Sequence, residues 1–167
     1  MIHAMLSQLC LASNNFLKDK LNRTEDLTIV APLENLDGSA IALGSNKIVL
    51  TLIDIHDISA QMRNRDLVER GDRVKRKTYF EYTVLVSAMS NANAYLESLE
   101  ILDLLIDYYG SNPRFKITGP PDGVDEMQSF LMVPKTLSMD ELNGLWSRLG
   151  VNYLPSLVYS IQILPND

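Results

Sequence analysis

Asp54, His56 and Asp57 are the residues whose types and spacing come nearest to chemistry in this chain. On a strand, Asp54 and His56 fall on one face two residues apart, close enough to share a proton or a metal ion. Two ligands do not make a metal site, and His3 is the only other histidine. There is no Gly-rich phosphate loop, no GxSxG elbow, no HExxH helix and no paired Cys/His spacing. Cys10 is the single cysteine, which excludes an internal disulfide and any CxxC zinc or redox site; a small core residue is its expected role. The sequence therefore predicts no catalytic residue, no cofactor and no metal, and Asp54 and His56 read as polar residues where a strand leaves a sheet.

Charge carries more information. The net charge of −6 is unevenly spread: Arg63, Arg65, Arg70, Arg73, Lys75, Arg76 and Lys77 stand against Asp66, Glu69 and Asp72, so residues 63–77 carry +4. Eight cations and eighteen carboxylates remain, and the rest of the chain is −10. Three readings of the basic segment are open. It is a solvated loop, since charge-rich stretches bury too little surface to order themselves; or a nucleic-acid arm, against which stand the acidic body and the lack of any aromatic residue within it; or an arm that orders against a neighbouring copy. A counterpart for the third exists. Glu97, Glu100, Asp103 and Asp107 form one ridge on a predicted helix, with no lysine or arginine in that helix to pair them, although a solvated face is its ordinary reading.

These groups must be positioned by the elements around them. Residues 46–56, NKIVLTLIDIH, are β-branched and apolar on both faces, which predicts a strand lying centrally in a sheet. The basic excursion follows, and the chain returns as TYFEYTVLVSA, residues 78–88, a strand with one core face and one partly wet face. Residues 2–21 space their apolar side chains by three and four, predicting an amphipathic helix; with no basic n-region, this is neither a signal peptide nor a membrane span, and assembly in the cytoplasm is expected. Residues 27–31 read as a short strand. Ser90 or Asn91 begins a helix that Gly110 closes, with Tyr95, Leu99, Leu102, Ile106 and Tyr109 inward. Strands at 114–118 and 127–133, the second stopped by Pro134, precede a capping box at Ser138 and Glu141, a short helix with Trp146, and Gly150. The final strand, 156–164, puts Leu157, Tyr159, Ile161 and Ile163 on one face and Ser160 and Gln162 on the other.

The segments NKIVLTLIDI, TYFEYTVLVSA, LEILDLLIDYYGSNPRF and above all LWSRLGVNYLPSLVYSIQIL resemble the tail-terminator (cap) family of extracellular contractile injection systems. These are phage-tail-like particles of the antifeeding prophage and Photorhabdus virulence cassette type. The resemblance covers nearly the whole chain, and Leu145-Trp146, Gly150 and Tyr153-Leu154-Pro155-Ser156 are its most specific part. It implies one α+β domain over residues 1–167, a mixed or antiparallel β-sheet packed by helices, like phage tail terminators. It further implies a homo-hexameric ring that ends inner-tube polymerisation and anchors the last sheath ring. The implied partners are then the chain itself, the inner-tube protein and the sheath protein, without nucleic acid or membrane, in a particle released outside the cell. An assembly chaperone or adaptor is the alternative. On this reading the basic segment reaches a neighbour's ridge. The strand at 156–164 is either a sheet edge, where Tyr159, Ser160, Ile161, Gln162 and Ile163 pair with a sheath strand, or an ordinary paired core strand.

Overall fold

The computed structural model describes residues 1–34, 46–61, 79–117 and 129–164. Helix α1 (Ile2–Leu21) forms on the predicted spacing and turns Met5, Leu6, Leu9, Ser13, Asn14 and Leu17 inward. Asn22 ends it at φ 52°, ψ 44°, a left-handed position that asparagine tolerates, and its N–H returns to the Lys18 carbonyl. Strand β1 (Thr28–Val30) pairs in parallel with β2 (Lys47–Asp57), matching Thr28 with Ile48. β2 pairs antiparallel with β3 (Phe80–Met89). A 3-10 turn at Ala92–Ala94, capped by the Asn91 side chain, leads into α2 (Tyr95–Ser111). β4 (Arg114–Lys116), β5 (Ser129–Lys135), α3 (Met139–Leu149) and β6 (Ser156–Leu164) complete the described elements.

The sheet order is β1-β2-β3-β6-β5-β4, so β6 enters between β3 and β5. This corrects two expectations. Residues 156–164 are not a sheet edge: Ser160 pairs with Thr83 on one side and Val133 on the other, and the backbone is taken up along the strand. The paired-strand reading holds. β2, expected at the centre, is instead second from an edge, and only its first half is buried on both faces. At Ile53 a bulge shifts the register, after which Asp54, Ile55, His56 and Asp57 are exposed. The extra residue also swaps the faces, so Ile53 and Ile55 point to opposite sides.

Helices cover both faces. α1 and α2 pack on one, where Leu9, Leu17, Leu50, Val84, Leu105, Tyr109, Phe130 and Ile161 are buried. α1 touches both edge strands, β1 and β4, so the sheet curls around it. On the other face α3 sets Trp146 over Val49, Leu85 and Val158, beside Leu33. For this reason most of the face of β3 expected to be partly wet is dry: Thr83, Leu85 and Ser87 are buried, and only Glu81 and Met89 at its two ends stay partly exposed.

Local signals fared unevenly. The capping box of α3 is present, Ser138 Oγ accepting from the Glu141 N–H and the Glu141 carboxylate accepting from the Ser138 N–H, and Gly150 ends the helix at φ 70°. Gly110 does not close α2, which runs on to Ser111 with Asn112 as its cap, and Tyr95 is exposed rather than inward. Pro134 does not stop β5. The Met132 N–H points outward to the Pro113 carbonyl, so the missing N–H two residues later also faces away from β6 and costs no ladder bond.

Candidate interaction surfaces

Edge strands are the first surface on which such a sheet can meet another chain, because their backbone groups are free to pair. β1 is protected by a side chain. The Asn14 carboxamide accepts from the N–H groups of Leu27 (3.0 Å) and Thr28 (2.8 Å) and donates to the Thr28 carbonyl at 2.8 Å. α1 thereby imitates a neighbouring strand. The Cys10 thiol adds a bond to the same carbonyl at 3.2 Å, and burial pushes its pKa up, away from the reactive thiolate.

The ridge on α2 divides into two parts. Glu97 is tied into the fold: it accepts from the Arg23 guanidinium, just after α1, and from Asn46 Nδ2 (2.8 Å), just before β2. Sequence reasoning missed this pair because Arg23 lies 74 residues away. Glu100, Asp103 and Asp107 are exposed and make no ion pair with a described residue. Helix stability does not account for them. Like charges at i,i+3 and i,i+4 cost a few tenths of a kcal/mol each, and a carboxylate in the last turn opposes the helix dipole.

Arg63, Arg65, Arg70, Arg73, Lys75, Arg76 and Lys77 lie outside the described residues. The structure does show the root of that excursion. The Ile58 N–H donates to the Tyr79 carbonyl (3.0 Å), the Tyr79 N–H donates to Ser59 Oγ (2.8 Å), and Asp57 Oδ1 accepts from the Ser59 N–H (2.8 Å). The two ends are latched together at the tip of the β2–β3 ribbon, which fixes where the basic segment departs.

At that tip Asp54 and His56 share a face with Thr83 and Glu81, their partners across the ladder. Asp54 Oδ1 accepts from the Ile55 N–H, and the Glu81 carboxylate accepts from Gln162 Nε2 at 3.1 Å. Among the described residues no three His, Cys, Asp or Glu side chains are grouped to hold a metal ion. Of the expected sheath-contact residues, Tyr159, Ser160 and Ile161 are buried, while Gln162 and Ile163 are partly buried. β6 offers no free edge to a sheath strand, since β3 and β5 occupy both sides. No described helix is long and apolar enough to cross a membrane.

A curled mixed sheet covered by helices on both faces is the architecture of an α+β domain resembling a sheath/tube terminator. The solved structure described as the PVC sheath/tube terminator in the extended state, of an extracellular contractile injection system, matches over 92% of this chain at a TM-score of 0.53 and 17% identity. The match covers 54% of that terminator, so the present chain spans about half its length. The family model described as the Pvc16 N-terminal domain matches residues 8–167, and the chain belongs to that family. No curated protein matches it.

Proposed function

We propose that this chain is a structural cap, a tail terminator of a contractile phage-tail-like particle. It forms a six-fold ring that ends inner-tube polymerisation and anchors the last sheath ring, and it acts through its contacts with itself, the tube protein and the sheath protein. The reading is supported by family membership together with the fold shared with the PVC sheath/tube terminator. A cap must offer one surface to the last tube ring and leave the opposite one unable to recruit another, so growth stops by geometry. The capping of Leu27 and Thr28 by Asn14 suits that requirement, because it obstructs strand pairing at the start of the β1 edge.

The ring's own contact, in this proposal, sets the basic segment 63–77 of one copy against Glu100, Asp103 and Asp107 of the next, with Glu97 at the foot of the ridge. Assembly takes place in the cytoplasm, and the particle is released afterwards. The test is the tube-length distribution, by electron microscopy, of particles from cells with and without the gene. Overlong, variable tubes with missing or unstable sheath are expected without it. Unchanged length and an intact sheath would overturn the cap and favour an assembly adaptor, which would also be absent from purified particles.

A further inference from the structure

We infer that neighbouring copies meet head to tail through two apolar patches, Ile55 and Phe80 of one copy closing over Tyr95 and Leu96 of the next. This rests on the ring proposed above and adds an apolar centre to its charged contact. Ile55 lies opposite Tyr82, so at the ribbon tip it shares with Phe80 the face that α1 and α2 cover further along the sheet. Their exposures are 46% and 39%, although the residues are of types that favour burial. Tyr95 and Leu96, at the start of α2, are 47% and 79% exposed. The inward face of that helix is built from Ser98, Ile101, Leu102, Leu105 and Tyr109, so the packing of α2 gives Leu96 no role.

The two patches cannot cover each other within one chain. The Asn46–Glu97 hydrogen bond holds the start of α2 at the start of β2, and Ile55 lies nine residues further along that strand. At about 3.3 Å per residue the separation is about 30 Å. Charge then selects the arrangement between copies. Tip against tip would bring two +4 excursions together, and α2 against α2 would oppose two acidic ridges. Tip against α2 instead brings the root of a +4 segment to a helix whose exposed carboxylates begin with Glu100, one turn after Leu96. An apolar centre with a charged rim is the anatomy of a specific interface.

Disulfide trapping on particles tests this in a Cys10→Ser background, which keeps a donor for the Thr28 carbonyl. Chains carrying Ile55→Cys and Leu96→Cys singly should give a covalent dimer when mixed and none when either is alone, and the doubly substituted chain should give a ladder. Capped particles without a dimer in the mixture, or a dimer from Leu96→Cys alone, would overturn the head-to-tail contact while leaving the ring. Tubes from unmodified cells that carry no terminal ring would overturn the ring and the inference with it. As a second arm, Leu96→Asp should lower ring occupancy on the order of tenfold without shifting thermal unfolding. Unchanged occupancy would count against the patch.

Discussion

Ser13 and Tyr109 show how one buried pair sets an order of costs. Ser13 Oγ has a single proton and gives it to the Leu9 carbonyl at 2.7 Å, so the Tyr109 hydroxyl, 2.7 Å away, must be the donor of their shared bond. Ser13→Ala then strands a buried phenol and should cost about 1–3 kcal/mol in urea unfolding, whereas Tyr109→Phe leaves Ser13 bonded to Leu9 and should cost about 1 kcal/mol. Burial also pushes the Tyr109 pKa well up. A folded-state value above the unfolded one means that the contribution is complete below pH 10 and is lost as pH rises beyond it. The alkaline limb of the stability profile should therefore flatten in Tyr109→Phe. Asn14→Ala removes the partner of two N–H groups and one carbonyl of β1 at once, and should cost at least about 2 kcal/mol by the same measurement. Nothing in the sequence around Asn14 marks it for this task, since it reads as a polar residue between helical apolar positions.

Among the elements, α3 was the most legible, because its signals are local: Ser138 and Glu141 at capping-box spacing, and glycine at the end. The Glu141 carboxylate, held by the N–H and hydroxyl of Ser138, titrates below the ordinary range. Its folded-state pKa is depressed, so its contribution is present above the unfolded value and lost as pH falls through the folded one. Amide protection at the start of α3, relative to the intrinsic exchange rate at each pH, should fall in acid, and this fall should be absent in Glu141→Gln. Strand order was not legible. Alternation along residues 156–164 is the same whether the strand is at an edge or between neighbours, because pairing partners lie far away in sequence. The buried hydroxyls of Thr83 and Ser87 read as a wet face, and the bulge at Ile53 left no mark in a run of β-branched residues. With β6 paired on both sides, Ser160→Pro should abolish folding, seen as loss of the cooperative transition. A folded variant would contradict the observed ladder.

At the scale of the whole molecule, the acidic body and the basic excursion were legible as composition, while their positions depended on the tertiary fold that puts the excursion's root at the ribbon tip. Reversing Arg73, Lys75 and Arg76 to glutamate should prevent ring formation on particles while leaving the fold intact; normal rings would count against the arm. Raising salt should weaken the same contact in the unmodified chain, since exposed charges are screened over about 10 Å at 0.1 M. The place of β6 in the sheet also governs how the chain comes into being. Until residues 156–164 have left the ribosome, β3 and β5 have no strand between them, and each presents an open edge. The sheet closes only through contacts distant in sequence, Glu81 with Gln162 among them, a topology that folds slowly and exposes sticky intermediates. Translation thus acts as a timer: a nascent chain halted short of β6 is an aggregation hazard, and the sheet is completed in one step when that strand slots home.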